Sequence, residues 1–512
     1  MIMNSVDLMS SQKPGHMTLN KVLSDVAVTD NETQILGLAL DNRKVKAGYL
    51  FFACKGISVH GKKFIGKAIA SGAVAIVLES DSAAEALSMS KQYADIPVIA
   101  VDGLSQQLGS IAAKYYGDPS SDMTVVGITG TNGKTSCTHL LAQCLNDEKN
   151  ICGVLGTLGA GVWGDVQAIS HTTPDAIEVQ QWLSLMQQKN AAVVAMEVSS
   201  HGLDQGRVNA CQFDVAVFTN LTRDHLDYHG DITSYGNSKL KLFTRPELTK
   251  VVVNLDDPYS YTIIDKLAQN VTVVGITAKQ VSEIDGVSII HASNITLSKH
   301  GLSFNVQSPW GGARLESTLF GEFNVSNLLT VLAVALLLGE SLERVLEKIK
   351  TAKAPAGRLE TFSAETMPLV VVDYAHTPDA LVKVLQTLKQ HTKGKLFVLF
   401  GCGGDRDQGK RAEMGALAEQ IADVIYVTDD NPRTERSSDI IDDILKGIKN
   451  PNSVIVDANR ASAIKNIISA ANSQDDVVLI AGKGHEDYQI IGDKRFDFSD
   501  REIVAQIIRE AA

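Results

Sequence analysis

Residues 124–138 read TVVGITGTNGKTSCT, and this stretch decides how the centre of the chain folds. The apolar run Val125–Thr129 predicts a strand and Thr135–Leu145 predicts a helix, so the glycine-rich residues between them form a strand-to-helix turn. At such a turn, the free amides and the partial positive charge of a helix start favour phosphate oxygens. The common phosphate loop has a further glycine five positions before its Gly-Lys pair, where this chain has Ile128. The stretch therefore predicts a tighter variant of a phosphate-binding loop.

The overall composition is that of an ordinary globular protein. The chain has 512 residues, too many for a single core, with 44% hydrophobic and 21% charged residues. Its net charge of −12, spread without long runs, argues against nucleic acid as the main partner. Six cysteines without a C-x-x-C pair indicate reduced thiols and a cytoplasmic location.

No targeting or membrane-spanning segment is expected. The first 17 residues, MIMNSVDLMSSQKPGHM, contain no basic stretch followed by an apolar block, so no signal peptide is predicted. The longest apolar run, Leu328–Leu338, is far shorter than the ~20 residues that a membrane span needs. It predicts a buried helix instead.

Apolar runs and the turns between them predict an α/β protein with three domains. We expect a small α/β domain at 1–105, a central P-loop ATPase-like parallel-sheet domain at 106–352, and a Rossmann-like doubly wound domain at 353–512. The last boundary lies in AKAPAGRLE, Ala352–Glu360, which contains proline and glycine. The strands expected after it are Pro368–Tyr374, Leu396–Gly401, Asp423–Thr428, Ser453–Val456 and Val477–Gly482.

A helix is expected at His376–His391, between the first two of these strands. Thr377 is a suitable cap and Pro378 suits the first helical position. Leu381, Val384 or Leu385, and Leu388 recur at helical spacing and predict one buried face.

The residue types of the phosphate loop match the chemistry of a nucleoside triphosphate. Gly130 and Gly133 let the backbone curl tightly, Lys134 can reach the terminal phosphates, and the Thr135 hydroxyl can bind Mg²⁺. The alternative is a glycine-rich turn that arose by chance. The predicted ATP-binding residues are Gly130, Thr131, Asn132, Gly133, Lys134, Thr135 and Ser136.

Polar residues also follow two further predicted strands. Glu197 ends the run VVAMEV, and Asp224, His225 and His229 lie in FTNLTRDHLDYHGD, just after the next run. Ligands gather at the carboxyl ends of strands in open α/β sheets, so we expect Glu197 and His225 to hold a metal ion. The simpler interpretation, helix capping and loop hydrogen bonding, is favoured for His229.

Seven segments occur in an order that resembles the Mur ligase family, whose members build the cytoplasmic peptidoglycan precursor. They are TGTNGKT at Thr129–Thr135, HTTPD at His171–Asp175, EVSSHGLDQGR at Glu197–Arg207, TNLTRDHLDYHGD at Thr219–Asp231, GEFNVSN at Gly321–Asn327, GRLE at Gly357–Glu360 and VDYAHTPDAL at Val372–Leu381. The resemblance implies that the loop binds ATP without the extra glycine. It also implies that ATP phosphorylates a substrate carboxylate and that an amine then attacks the acyl phosphate to give an amide.

The resemblance further implies roles that spacing alone does not assign. Thr135 and Glu197 would hold one Mg²⁺ and His225 a second, while Lys134 would steady the transferred phosphoryl group. Lys239, in SYGNSKLKLF, would be carbamylated by CO₂ and act as a catalytic metal ligand. From its local sequence alone, Lys239 is a solvated helix lysine, and Lys241 is the nearby alternative.

The segment DNPR, Asp430–Arg433, resembles the branch of the family that adds meso-diaminopimelate to UDP-N-acetylmuramoyl-L-alanyl-D-glutamate. This amino acid is lysine with an extra carboxylate, and the planar fork of Arg433 suits a carboxylate. The implied diaminopimelate-binding residues are Arg406, Asp430, Asn431, Pro432, Arg433, Gly482 and Glu486.

The nucleotide-sugar end of the substrate is matched by fewer residues. Asn42 stands where the family more often has serine, and Gly56–Val59 departs further from the family pattern. The implied contacts are Leu40, Asn42, Thr172, Thr173, Ser199, Gln205 and Arg207.

Three alternatives stay open on sequence grounds. An L-lysine-adding relative conflicts with DNPR, and a folate polyglutamate synthetase conflicts with the domain before the loop. A switch or scaffold that hydrolyses ATP only to change shape is the alternative outside the ligases. We further expect a monomer with no nucleic-acid partner.

Overall fold

The computed structural model describes residues 17–56, 59–93, 96–365 and 367–511, which divide into two compact units. The first contains the described residues up to Ile276 together with Val281–Ile289 and Ala333–Leu338. The second contains Thr277–Gln280, Ile290–Leu332 and the described residues from Gly339 onward. Residues 1–16 and, from Gly56–Val59, Ile57 and Ser58 lie outside the described residues.

The first unit begins with a small parallel sheet. Its elements are β1 Met17–Thr18, α1 Leu19–Leu23, β2 Gln34–Ile35, β3 Gly37–Ala39, β4 Tyr49–Ala53, α2 Ile65–Ala70, β5 Ala73–Glu79, α3 Ala83–Gln92, β6 Val98–Val101 and α4 Leu104–Tyr116, with 3-10 turns at Asn42–Lys44, Gly61–Phe64 and Pro119–Asp122. The strands pair in parallel in the order β3-β4-β5-β6, and β1 pairs with β2 in antiparallel fashion. Both faces are covered, since Phe52 and Val77 pack in one apolar cluster and Phe51 and Ile76 in another.

The larger sheet of the first unit carries the phosphate loop. Its elements are β7 Thr124–Thr129, α5 Lys134–Leu145, β8 Ile151–Gly156, β9 Gly159–Val162, β10 Asp165–Gln167, α6 Ala176–Gln188, β11 Ala191–Glu197, α7 Ser200–Asp204, β12 Val215–Phe218, α8 Leu226–His229, α9 Ile232–Leu240, β13 Lys250–Asn254, α10 Tyr259–Ile264 and β14 Thr272–Thr277. The strand order is β10-β9-β8-β11-β7-β12-β13-β14, and all pairs from β8 to β14 are parallel.

This strand order explains where a site can form. Strand β7 lies between β11 and β12, so the phosphate loop leaves the sheet between the strand that ends at Glu197 and the strand that precedes Asn220. In the register, Glu197 pairs with Ile128 and Phe218 pairs with Thr129. Because parallel strands end at the same edge, polar residues that are distant in sequence meet there.

Most residues of the remaining elements belong to the second unit. They are β15 Val287–Ser298, β16 Gly301–Ser308, β17 Gly311–Ser317, α11 Phe323–Leu337, α12 Leu342–Thr351, β18 Glu360–Phe362, β19 Leu369–Asp373, α13 Pro378–His391, β20 Leu396–Phe400, α14 Gly409–Ile421, β21 Val424–Val427, α15 Ser437–Leu445, a 3-10 turn at Pro451–Ser453, β22 Ile455–Val456, α16 Arg460–Ala470, β23 Val477–Ala481, β24 Tyr488–Ile491, β25 Lys494–Asp497 and α17 Asp500–Ala511. Strands β15, β16 and β17 form an antiparallel meander.

The six-stranded sheet of this unit has the order β18-β19-β23-β20-β21-β22, with only β18 antiparallel. Alternate residues of each strand face opposite apolar clusters, as Val398 and Leu399 of β20 show. Helices α13, α14 and α15 cover one face, and α16 and α17 cover the other. The expected doubly wound sheet is confirmed.

The local predictions hold with small shifts. Helix α13 begins at Pro378, Thr377 Oγ1 accepts a hydrogen bond from Ala380 N at 3.4 Å, and the predicted leucines are buried. The predicted strand Ser453–Val456 is too long, because Pro451 starts a 3-10 turn that leaves only β22. Helix α11 contains most of the long apolar run, and no helix in the described ranges is long and apolar enough to cross a membrane.

Candidate active site

The phosphate loop follows β7 and is hydrogen-bonded to the residues just after β12. Thr131 N donates to Asn220 O at 2.8 Å, and Asn132 N donates to the side-chain oxygen of Asn220 at 2.9 Å. Thr219 Oγ1 donates to Asn132 O at 2.6 Å. These bonds satisfy loop backbone groups from the outside and fix the shape of the loop.

Gly130 is required by this close approach. It has a φ of +147°, and a Cβ at this position would lie 1.9 Å from Thr219 Oγ1. No side chain can be placed there without moving the end of β12. The glycine therefore permits the loop to pack against its neighbouring strand.

Two lysines converge on the Gly130 carbonyl oxygen. Lys134 Nζ donates to Gly130 O and to Thr131 O, each at 2.9 Å, and Lys239 Nζ donates to Gly130 O at 2.9 Å. Burial lowers the pKa of Lys134, and Glu197 and Asp224 partly oppose this effect. The loop thus holds two amines close to the turn where phosphate is expected.

Lys239 differs most from what its local sequence predicts. The solvated helix lysine expected from local sequence is wrong, because the Lys239 side chain is 1% exposed and lies over the Tyr235 ring, 4.2 Å from its centroid. Burial, followed by repulsion from Lys134, lowers the pKa of Lys239 to about 6. By contrast, Lys241 is half exposed and pairs with Asp204 at 2.8 Å. Of the two, Lys239 is the amine that burial keeps neutral at pH 7.

Glu197 is a buried carboxylate surrounded by threonines. Its Oε2 accepts from Thr135 Oγ1 at 2.9 Å and from Thr157 Oγ1 at 3.2 Å, and its Oε1 accepts from Thr157 N at 2.8 Å. It is 1% exposed, and burial raises its pKa despite these bonds. Thr135, at the start of α5, is thereby joined directly to the end of β11.

This donor set is suited to a hard cation. The Glu197 carboxylate accepts hydrogen bonds from the neutral groups of Thr135 and Thr157, and Lys134 attracts it electrostatically. A carboxylate and a hydroxyl at adjoining strand ends are oxygen ligands of the kind that Mg²⁺ takes. In the described residues, no group of three or more His, Cys, Asp or Glu side chains is arranged to hold a metal ion.

His225 lies in a separate ring cluster. It has a φ of +52°, its side chain is about half exposed, and its Nε2 is 3.6 Å from Asp224 Oδ2. Its ring centroid is 4.9 Å from that of His201, which also packs against His229. His229 hydrogen-bonds Ser200 Oγ at 3.0 Å and Ser238 Oγ at 3.3 Å, as the simpler interpretation predicts.

The residues expected to contact the muramoyl peptide form a continuous set. Thr172 Oγ1 is 3.0 Å from Thr157 Oγ1, and Thr173 Oγ1 donates to Glu197 O and accepts from Ser199 N, both at 3.0 Å. Thr172 and Thr173 therefore lie directly beside Glu197.

Arg207 occupies the other end of this set. Its Nη1 donates to Thr173 O at 2.7 Å, and its Nε and Nη2 donate to Gln205 Oε1 at 3.0 and 2.6 Å. Within the described ranges it has no carboxylate partner, and burial lowers its pKa. A half-buried guanidinium held only by neutral oxygens is suited to an anionic ligand.

Leu40 and Asn42 lie in the small-sheet part of the first unit. Leu40 follows β3, and Asn42 opens a 3-10 turn that Asp41 caps by accepting from Arg43 N at 2.9 Å. Lys44, at the end of this turn, pairs with Glu178 in α6. Helix α6 starts just after Thr173. The ion pair between Lys44 and Glu178 therefore connects the 3-10 turn to the residues that are expected to contact the muramoyl peptide.

In the second unit, the DNPR segment lies beside the segment GKGHED, Gly482–Asp487. Asn431 Nδ2 donates to Glu486 Oε2 at 3.2 Å, and Asp430 Oδ2 would be 2.6 Å from a Cβ at residue 482. Gly482 has a φ of +117° and leaves room for the Asp430 carboxylate. The structure thus brings Asp430, Asn431, Gly482 and Glu486 together.

Arg433 is fixed through its backbone as well as its side chain. Arg433 N donates to Ile490 O at 3.1 Å, Gly492 N donates to Arg433 O at 2.7 Å, and its φ is +51°. Its Nη1 donates to Gly404 O at 2.8 Å. The same nitrogen also donates to Asn431 O at 3.5 Å, and Arg433 forms no ion pair with any described residue.

Arg406 is exposed, but the loop that carries it is tied to the DNPR segment. The buried Arg411 donates to both carboxylate oxygens of Glu435 at 2.9 Å, to Asp443 at 3.0 Å and to Gly403 O at 3.3 Å. Glu435 also accepts from Asp405 N at 2.6 Å. Pro432 is buried, and its carbonyl oxygen would lie 1.9 Å from a Cβ at residue 404.

Three residues of these clusters were not predicted from the sequence. Thr157 follows β8, the neighbour of the strand that ends at Glu197, and this strand order is seen only in the structure. Arg411 and Lys483 carry no local signal, since each lies in a polar segment that is typical of a surface loop or helix. Their burial depends on contacts with distant residues, namely Glu435 and Asn431.

Gly156 offers a test of the Glu197 position. A Cβ at Gly156 would lie 2.3 Å from Glu197 Oε1 and 2.7 Å from its Cγ, so Gly156→Ala must displace the carboxylate from Thr135 and Thr157. We expect Mg²⁺-dependent ATP binding, measured by calorimetry, to weaken about tenfold or more. The matched control is Gly66→Ala, whose Cβ would meet Tyr93 only at 3.6 Å. Equal ATP affinity in both variants would contradict a role for Glu197.

Comparisons with known proteins agree with this arrangement. Sequence models match three successive segments: "Mur ligase family, catalytic domain" over residues 34–116, "Mur ligase middle domain" over 128–335 and "Mur ligase, glutamate ligase domain" over 357–484. The three-domain division expected from sequence is compatible with these matches, and its boundaries at 105 and 352 stay predictions.

Relatives cover almost the whole chain. The UDP-N-acetylmuramoyl-L-alanyl-D-glutamate--2,6-diaminopimelate ligase of Coxiella burnetii is 45% identical over 468 residues, 91% of this chain and 94% of that protein. A solved structure of a ligase with the same name has a TM-score of 0.74 at 32% identity, covering 97% of this chain and 99% of the other. The MurF ligase of Thermotoga maritima, solved in complex with ADP, shares the fold with a TM-score of 0.58 at 18% identity over 93% and 98% of the two chains. The chain belongs to the Mur ligase family.

Proposed function

We propose that this chain is an ATP-dependent ligase that joins meso-2,6-diaminopimelate to the D-glutamate of UDP-N-acetylmuramoyl-L-alanyl-D-glutamate. The observation that carries the proposal is the guanidinium of Arg433, which donates to backbone carbonyls and belongs to the same DNPR segment whose Asn431 donates to the Glu486 carboxylate. An amino acid with an ammonium group and a second carboxylate complements both charges. The names of the relatives support this substrate pair.

The chemistry explains why such a reaction uses ATP. A carboxylate is a poor electrophile, so the γ-phosphoryl group first moves to a carboxylate oxygen of the D-glutamate and ADP is released. The amine nitrogen then attacks the acyl carbon, loses a proton, and the tetrahedral intermediate expels phosphate to leave an amide. One bond is formed and one is broken in each of these transfers, and no other reactant is needed.

The first transfer brings two anions together. At ~4 Å and an effective dielectric constant of ~20, each pair of unit charges repels by ~4 kcal/mol. Lys134, at the phosphate loop, supplies a compensating charge when it moves from Gly130 O to a terminal phosphate. Bound Mg²⁺, held by Thr135 and Glu197 with His225 and a carbamylated Lys239 for a second ion, would neutralise further phosphate charge.

The substrate carboxylate would be held beside this loop. Thr172, Thr173 and Ser199 adjoin Glu197, and Arg207 adds a cation that has no carboxylate partner among the described residues. The diphosphate and carboxylates of the nucleotide peptide suit that charge. The reaction would take place in the cytoplasm, where ATP and nucleotide sugars are available, and we propose a monomeric enzyme.

The proposal is tested by following ADP release with purified protein, ATP, Mg²⁺ and the nucleotide dipeptide. We expect release only when meso-diaminopimelate is added, with L-lysine at least about tenfold less effective, because lysine leaves Arg433 unpaired. Omitting the dipeptide is the control, and it should abolish release. Steady ATP hydrolysis without an amino acid would favour the switch alternative, and equal use of lysine would favour the L-lysine-adding alternative.

Arg433→Ala tests the residue that carries the proposal. We expect KM for meso-diaminopimelate to rise by tens- to thousands-fold, corresponding to about 2–5 kcal/mol for a lost charged pair, while KM for ATP holds. The matched control is Arg436→Ala, since Arg436 is exposed and pairs only with Asp439 one turn away. Equal losses for ATP and the amino acid would contradict the role given to Arg433.

Carbamylation of Lys239 is a separate prediction. Only a neutral amine reacts with CO₂, and burial with a pKa of about 6 keeps Lys239 neutral at pH 7. With carbon-13-labelled bicarbonate, we expect one slowly exchanging carbamate signal by NMR. It should vanish in Lys239→Met and persist in Lys241→Met, a variant of the exposed neighbour. A signal retained in Lys239→Met would assign the carbamate elsewhere.

A further inference from the structure

We propose that Lys483 is a positioning and selectivity residue of the amino-acid subsite. Its buried ammonium group orients Asn431 and partly neutralises the carboxylates of Asp430 and Glu486. A zwitterionic amino acid is therefore preferred to a cationic one. This inference rests on the proposed function, because it concerns the same subsite. None of the roles described above involves Lys483.

Lys483 is enclosed on all sides. It is 0% exposed, and its Nζ donates to Asn431 Oδ1 at 3.0 Å and to Tyr488 O at 2.8 Å. The same nitrogen lies 5.7 Å from the centroid of the Tyr488 ring and 5.8 Å from that of Phe498. A lysine this deeply buried must be balanced by nearby acceptors.

The contact with Asn431 fixes which way its amide points. Lys483 Nζ and Ile490 N are both donors, at 3.0 and 2.9 Å from the same Asn431 atom, so that atom must be the oxygen. The amide nitrogen therefore faces Glu486 and donates to its Oε2 at 3.2 Å. The orientation of the Glu486 carboxylate is thereby linked to that of the Asn431 amide, which Lys483 fixes.

Lys483 also compensates two carboxylates. Its Nζ is 3.8 Å from Asp430 Oδ1 and 3.7 Å from Glu486 Oε2. Arg460, which pairs with Asp500 through fully buried contacts of 2.8 and 2.7 Å, also attracts both carboxylates. Lys483 is therefore one of two buried cations that limit the negative charge of Asp430 and Glu486, and it is the one that also contacts Asn431.

The consequence for selectivity follows from the charges of the two candidate amino acids. At neutral pH, meso-diaminopimelate has two ammonium and two carboxylate groups and no net charge, whereas L-lysine has a net charge of +1. An extra buried cation disfavours the cationic ligand and affects the zwitterion much less. Replacing Lys483 by a neutral residue should therefore increase the use of L-lysine relative to meso-diaminopimelate. Partial unfolding would lower the activity with both amino acids and would not change their ratio.

The experiment compares Lys483→Met and Lys483→Gln with wild type, using ADP release with meso-diaminopimelate and with L-lysine. We expect both variants to lower about tenfold the ratio of kcat/KM for meso-diaminopimelate to kcat/KM for L-lysine, because both remove the charge. Lys483→Met also removes the donor to Asn431, so it should in addition raise KM for meso-diaminopimelate about tenfold. KM for ATP should stay the same as in wild type. The control is Lys494→Met, the same change at an exposed lysine of the adjacent strand β25.

The glutamine variant keeps a donor for Asn431 while it removes the charge, so it separates the two effects and guards against poor folding of the methionine variant. If both variants melt like wild type and keep its ratio of kcat/KM values, the inference is wrong and the proposed function stands. If Lys483→Gln keeps the wild-type ratio, the charge argument is wrong. If wild type uses neither amino acid, the proposed function fails and the inference with it.

Discussion

The carbonyl oxygen of Gly130 is the contact on which the candidate active site depends. It accepts hydrogen bonds from both Lys134 and Lys239, and two buried amines on one oxygen repel each other. The carbonyl can serve both only because the chain turns sharply at Gly130, where a Cβ would clash with Thr219. The bend of the phosphate loop, the hydrogen bond of the buried Lys239 and the packing against the end of β12 therefore meet at one residue.

Much of the fold could be predicted because buried parallel strands appear in the sequence as uninterrupted apolar runs. The loop and Glu197 each follow such a run, and the rule that ligands gather at the carboxyl ends of strands predicts a site there, whereas the Asp430–Arg433 segment is singled out by the family resemblance. The order of the strands in the sheet is absent from any local pattern. For that reason Thr157, which reaches Glu197 from the neighbouring strand, was not foreseen.

Lys239 and Lys483 show why the rest could not be predicted. Lys239 is 109 positions from Gly130 and Lys483 is 52 positions from Asn431, so the contacts that bury them are wholly tertiary. Lysines are almost never fully buried, and a local pattern therefore assigns both to the surface. Only the resemblance to a family singled out Lys239, and nothing in the sequence singled out Lys483. Buried cations of this kind become visible only once the charges around them are in place.

In the proposed function, the amino-acid subsite would select by charge in two different ways. Arg433 offers a cation that a second carboxylate can pair with, which would favour the right ligand. Lys483 offers a cation that no ligand can reach, since it is buried behind Asn431, and it would orient that amide and disfavour excess positive charge. A subsite built only to attract ammonium groups would need neither cation, so the two together favour a ligand that brings its own second carboxylate.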